Sequence, residues 1–138
     1  MARPVTTPHH IVEAGELPQP RGYAHAVVSE GGRIVHLAGM TAQGRDGTID
    51  GSTLVEQFDV AAQNVVHALR AAGAEPRHMV SLVVYTTDFA QYRASRAALG
   101  GVWRQRFGGH YPAMAVIGVT ELFDAAALVE LMAVAVVR

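Results

Sequence analysis

Apolar and polar positions change their period several times along the 138 residues, and each change predicts an element. Behind Thr53-x-x-Glu56, the residues Leu54, Phe58, Ala61, Val65, Leu69 and Ala72 recur three or four positions apart. That spacing puts them on one stripe of an α-helix. Thr53 and Glu56 have the capping-box pattern, and Gly73 closes the helix because glycine accepts the left-handed C′ conformation without steric cost. A second stripe runs through Phe89, Tyr92, Arg96, Leu99 and Trp103. Asp88 caps it, Gln91 stands at the reciprocal position, and Gly108-Gly109 ends it. Inside this helix Gly100 and Gly101 cost about 1 kcal/mol each relative to alanine. Strand-like runs occupy 23–29, 33–38, 79–87, 113–120 and 128–137. The first two flank Gly31-Gly32 and predict a hairpin. Residues 44–51 form a loop rich in glycine and aspartate, and residues 1–20, with four of the six prolines, form an extended lead-in.

The predicted order is β-β-α-β-α-β-β in one domain spanning 1–138. Each helix separates two strands, so each unit is a parallel crossover. Both helices then lie on one face of a mixed sheet, an α+β two-layer sandwich. The run 79–87 places Val80, Leu82 and Val84 on one side and Met79, Val83 and Tyr85 on the other, and 128–137 is also apolar on both sides. Two helices cover one face only. A homo-oligomer that buries the other is the simplest solution, with sites in the grooves between subunits.

Half of the residues are hydrophobic and 17% are charged, which excludes a disordered chain. The formal net charge of -1 and a pI near 6.6 give no field for nucleic acid or an anionic membrane. No cysteine is present, so disulfides, thiolate metal sites and a cysteine nucleophile are excluded. The first ten residues lack an apolar core of signal-peptide type. The most apolar stretch, 125–137, carries Glu130 and is shorter than the ~20 residues of a membrane span. A soluble cytoplasmic protein is expected.

Glu130 is the most informative single residue. A carboxylate in an apolar strand is either half of an ion pair, or otherwise held structurally, or a group that positions and deprotonates water in a cleft. The seven histidines have no metal-ligand spacing. His9 and His10 read as surface residues, and His36 and His67 as structural ones. His25, on the strand face of Tyr23, and His110, beside Tyr111-Pro112 at a strand mouth, are candidate acid–base groups. Arg93, Arg96, Arg104 and Arg106 make the second helix basic, which fits a solvated face. Neither a dinucleotide fingerprint nor a phosphate-binding loop occurs.

The chain resembles the Rid family (YjgF-like, also labelled L-PSP endoribonucleases) from about residue 22 to 137. The resemblance rests on Gly22-Tyr23, on residues 34–39, on Gln63-Asn64-Val65 with 71–74, on 80–88, on Tyr111-Pro112-Ala113 and on 129–136. It implies a chorismate-mutase-like homotrimer with three clefts between subunits, and no cofactor or metal. Typical members hydrolyse 2-imino or enamine acids to 2-keto acids and ammonia. In them a first-strand tyrosine lines the pocket and a last-strand glutamate holds the water; Tyr23 and Glu130 fall on those positions. The arginine that binds the substrate carboxylate is replaced by Met114. A cysteine of some members is replaced by Val116, and an asparagine of some members falls near Ala97. A charge-assisted arginine contact contributes about 1.5–3 kcal/mol, whereas methionine offers a flexible apolar wall.

The expected function is hydrolysis or proton transfer on a small imine, enamine or carbonyl compound, not standard 2-imino acid deamination. Glu130, Tyr23, His25 and His110 are its candidate catalytic residues. Met114, Val116, Tyr111 and Arg96 are the candidate substrate-binding residues. The alternatives are a non-catalytic trimer that sequesters a small ligand and, with less support from charge, the ribonuclease of the older label.

Overall fold

Thr53 sets the first turn of the longest helix. In a computed structural model that describes residues 7–138, α1 (Leu54–Ala71) begins with the Glu56 N–H donating to the Thr53 hydroxyl at 3.2 Å. The Glu56 carboxylate accepts from the N–H groups of Ser52 (2.8 Å) and Thr53 (3.3 Å). These bonds, that from Ser52 first, hold its carboxyl below the usual range. After α1 the chain turns at Gly73, where φ is +80°, a conformation that favours glycine.

Four strands form the main sheet: β3 (Arg33–His36), β4 (Met79–Thr86), β5 (Ala113–Gly118) and β6 (Val129–Val137), in the order β3-β6-β4-β5. β6 is antiparallel to both β3 and β4, and β5 is parallel to β4. The strands on either side of α1 are therefore parallel, as predicted, with the last strand inserted between them. The helices share one face. Phe58, Val65 and Leu69 of α1 and Trp103 of the second helical region pack with Leu82, Val84, Leu131 and Ala133 of the sheet. Arg106 fastens the two helical regions by donating to Asp59 at 2.6 Å and to the side-chain Oε1 of Gln63.

Four local expectations are corrected. The first concerns the hairpin. β2 (Ala26–Val28) pairs antiparallel with β1 (His10–Val12), not with β3. The lead-in thus contributes a strand, and Gly31-Gly32 has another task. A Cβ on Gly32 would lie 2.4 Å from the Val137 carbonyl oxygen, so this turn seats the chain against the end of β6. Second, the helix after Asp88 is two pieces, α2 (Phe89–Ala94) and α3 (Arg96–Phe107). The break falls at buried Ser95, whose hydroxyl accepts from the Gln91 amide at 3.1 Å, and not at Gly100-Gly101. Ser95 there has φ -102° and ψ 13°, outside the helical range. Third, the β4 register shifts between Met79 and Ser81, which turns Met79 into the core with Leu82 and Val84. Fourth, the lead-in is docked on the domain: the Thr7 hydroxyl donates to the Arg77 carbonyl at 2.7 Å.

Gln57, buried in α1, holds the loop that delivers β6. Its amide donates to the carbonyls of Gly51 (3.2 Å) and Ala126 (3.1 Å), and its carbonyl accepts from the Leu128 N–H at 2.8 Å. Gln57→Leu strands these backbone groups. Urea denaturation is expected to register a loss of about 1–3 kcal/mol, the penalty for a buried polar group left unpaired. An unchanged midpoint would mean that water replaces the amide.

The opposite face of the sheet carries Ile34, Met132, Val83 and Ile117, with Tyr85 and Glu130 opposed across β4 and β6. Ile34 is 63% and Met132 40% exposed. The helices leave this face open, as the two-sided strands predict.

Candidate functional site

β6 alternates Val129, Leu131 and Ala133 toward the helices with Glu130, Met132 and Val134 toward the open face, so the period of two decides where the acid points. Glu130 lies against Gly39, just beyond β3. A Cβ at Gly39 would be 2.0 Å from Glu130 Oε1 and 2.7 Å from its Cδ. The absence of a side chain at Gly39 thus leaves the space that the Glu130 carboxylate occupies, and its backbone angle is not the reason, since its φ is not positive. Among the described residues the Glu130 carboxylate has no hydrogen bond and no ion pair.

Tyr23 and Met114 stand elsewhere. The chain before β2 runs beside the free edge of β5, tied by the Ala24 N–H to the Pro112 carbonyl at 3.0 Å and by a parallel bridge between Ala24 and Ala113. Tyr23, 39% exposed, overhangs this edge. Met114 and Val116 are paired with Leu82 and Val84 and face the helix side. Two hollows adjoin here. One, of about 390 Å³, is lined by Arg21, Tyr23, Tyr92, Arg96, Met114 and Val116. The other, of about 310 Å³, reaches under α3 to Phe58, Leu99, Trp103 and Tyr111. A third hollow, also about 390 Å³, lies on the far side of Tyr23 with His25 and Leu17. Tyr23, Arg96, Met114, Val116 and Tyr111 are therefore brought together. Glu130 is not with them, for it lies on the other face and β4 separates its strand from β5.

Both nitrogens of His25 are engaged. Nδ1 accepts from the Ala14 N–H at 2.9 Å, and Nε2 lies 2.9 Å from the Pro18 carbonyl, which it reaches as a donor. The imidazole staples the lead-in while its ring meets Tyr23 edge-on at 5.9 Å. His110 is buried, with Nε2 donating to the Met79 carbonyl at 2.7 Å. Burial pushes its pKa down, against the opposing effect of that bond. His9, expected at the surface, is buried, with Nε2 3.0 Å from the His78 carbonyl. His36 and His67 are exposed, the latter 3.1 Å from the Gln63 amide. Among the described residues no group of three or more histidines and carboxylates is placed to hold a metal.

Sequence reasoning missed Arg21, Tyr92, Trp103 and Gly39 as site residues. Gly39, directly behind a strand, had a readable signal. The other three converge only through the fold. Burial pushes the Tyr92 phenol up to about 12.

The chain matches the Endoribonuclease L-PSP family over residues 15–137. Among solved structures it is similar to YyfB, a Rid-family protein of unknown function from Yersinia pestis. That match has 28% identity, covers 94% of this chain and 98% of that one, and has a TM-score of 0.84. It is also similar to Rv2704 from Mycobacterium tuberculosis, a member of the YjgF/YER057c/UK114 family, with 29% identity, 94% and 99% coverage, and a TM-score of 0.64. For the YjgF-family protein NMB1025 from Neisseria meningitidis the values are 26%, 87% and 91%, and 0.61. No curated protein matches. With the α+β sandwich, the mixed sheet and the family match over nearly its whole length, the chain belongs to the Rid (YjgF-like) family, the Endoribonuclease L-PSP family.

Proposed function

We propose that this chain is a Rid-type hydrolase that deaminates a small imine or enamine in a cleft completed between subunits of a homotrimer. The observation that carries the reading is the division of the site. The carboxylate of Glu130 is free on the open face, and the hollow of Tyr23, Arg96 and Met114 lies over the edge of β5. One protomer cannot bring these halves together, whereas a second copy docked on the apolar open face can. The family is usually trimeric, which supports that arrangement.

In this reading the Glu130 carboxylate of one subunit takes a proton from water as the water oxygen adds to the C=N carbon of a substrate held by its neighbour. The proton passes to nitrogen and gives a carbinolamine. Glu130 then takes the hydroxyl proton and returns it to nitrogen. The C–N bond breaks, ammonia leaves and the carbonyl forms. Tyr23 orients the substrate and relays protons. His25 and His110 act on the site by holding the Tyr23 segment and the start of β4. Met114 and Val116 give the cleft an apolar wall, so 2-iminopropionate, with its single methyl group, is expected to be turned over poorly.

Imines generated in situ test this. The expected result is many turnovers of ammonia release per subunit with bulky apolar imines, little with 2-iminopropionate, and a mass by light scattering three times the chain's 14.7 kDa. The apolar wall also favours a second reading, a trimer that sequesters its ligand. Saturable binding without turnover would establish that one and overturn the enzyme.

A further inference from the structure

The hollow under α3 has an aromatic floor. Trp103 stacks on Tyr111, with ring centroids 5.4 Å apart and planes at 9°, and Phe58 meets Tyr92 edge-on at 6.3 Å. Phe58 and Trp103 are 1% and 5% exposed, so this floor is fixed by the core. The Trp103 N–H is consumed by the His110 carbonyl at 3.1 Å. The ring faces offered to the hollow are apolar, and the polar groups left on these rings are the hydroxyls of Tyr111 and Tyr92. A flat or bulky apolar group gains about 25 cal/mol for every Å² it buries there, and a cavity of about 310 Å³ has room for one ring.

The mouth is different. Arg21 and Arg96 line both adjoining hollows, and neither forms an ion pair among the described residues. Of the other arginines of this region, Arg93 lies over the Phe89 ring at 4.3 Å and Arg106 is bonded to Asp59, while Arg104, beside Gly100, forms no ion pair among the described residues. Tyr92 lines both hollows too, and its hydroxyl has no hydrogen-bond partner among the described residues. A phenol that stays protonated is a donor. Two guanidinium groups and one hydroxyl donor at the rim of an apolar pit match an anion joined to an apolar body.

We infer that the substrate is a monocarboxylate with an aromatic or comparably bulky side chain, its carboxylate held by Arg96 and Arg21 with the Tyr92 hydroxyl, and its side chain seated over Trp103 and Tyr111. The carboxylate anchor is thereby supplied from α3 and from the segment before Tyr23, and Met114 becomes part of the wall against which the side chain packs. Small acids reach the arginines but leave the pit empty. Neutral aromatics fill the pit but leave the arginines unpaired. That the bound acid is an imine rests on the proposed function; that it is an aromatic acid does not.

Trp103 is the only tryptophan of the chain, so its emission reports on the pit directly. The probes are 3-phenylpropionate, propionate and 3-phenylpropan-1-ol, titrated against the purified protein. Saturable change with 3-phenylpropionate is expected, with binding at least about tenfold tighter than for either partial analogue, the ratio that one charge-assisted contact supplies. Arg96→Ala should weaken the acid about tenfold and leave the alcohol unchanged, and Arg21→Ala should act in the same direction. Both residues are exposed, and far-ultraviolet circular dichroism verifies that the variants remain folded. Equal binding of acid and alcohol, or an Arg96→Ala variant that binds the acid like the parent, overturns the inference. Glu130→Gln separates it from the enzymatic reading. If that variant binds 3-phenylpropionate normally and no imine is turned over by the parent, the hydrolase falls and the ligand class stands. If neutral imines are turned over and the acid does not bind, the ligand class falls alone.

Discussion

Glu130→Gln is expected to lower the turnover of imine hydrolysis by at least about 10²-fold, the contribution of a positioned general base, while melting temperature and oligomeric mass stay unchanged. Two features make the substitution clean. Glutamine keeps the length and shape of the side chain, so the contact with Gly39 persists. Among the described residues no cation is paired with Glu130, so removing its charge strands nothing. Breaking a buried ion pair would instead cost about 3–5 kcal/mol, and a melting temperature that collapses would point to a partner contributed by the neighbouring subunit. Gly39→Ala approaches the same chemistry from the other side. Its methyl group would overlap Oε1 at 2.0 Å and Cδ at 2.7 Å, and the flexible carboxylate must swing away. The expected result is a fall in kcat with little change in stability. Parent-like activity in both variants would reduce the acid to a bystander.

The parts of this site that were legible in the sequence are those governed by local rules. The period of two in 128–137 put Glu130 on the face opposite Leu131, and the capping box at Thr53 placed α1 to within a residue. What escaped depends on distant partners. Gly31-Gly32 has the composition of a hairpin turn, yet its geometry is set by the Val137 carbonyl, more than a hundred positions away. The proline-rich lead-in reads as irregular, and only the pairing of Ile11 with Val27 makes it a strand. The bulge after Met79 inverts a parity that the alternation alone states the other way. Likewise Arg21, Tyr92 and Trp103 lie far apart in the chain. They meet because the segment before β2 lies along the edge of β5 and residues of α2 and α3 line the same hollow. The missing arginine at position 114 was legible, and so was Arg96 as a candidate binding residue, but Arg21 was not.

Acidification from about pH 7 to pH 5 is expected to destabilise the fold through a histidine clamp at the entry to β4. Three consecutive carbonyls receive donors there. The Thr7 hydroxyl donates to Arg77, the His9 ring meets the His78 carbonyl, and His110 donates to Met79 at 2.7 Å. His78 itself accepts the Glu75 N–H on Nδ1 at 2.9 Å, a bond that protonation at Nδ1 destroys. Burial pushes the His78 pKa below 6.5, helped by Arg77 and His9 and opposed by Glu75. Burial likewise lowers that of His110, helped by His9 and opposed by the bond to Met79. The sign follows from proton counts. Well above 6.5 both rings are neutral in the folded and unfolded chain, and their contribution is intact. As pH falls below that value the unfolded chain takes up protons that the folded chain refuses, so stability declines until the folded pKa values are passed. The carboxylates held low, such as that of Glu75 beside Arg77, lose their contribution only at lower pH, so the two ranges separate. Urea unfolding at fixed protein concentration should therefore show a stability that falls toward pH 5, with these two rings contributing a slope of at most two protons. His110→Gln can still donate to the Met79 carbonyl but does not titrate, and it should flatten the slope by up to one proton. A parent whose stability is level across this range, or a His110→Gln variant with the parent's slope, would mean that the clamp opens to water before it unfolds.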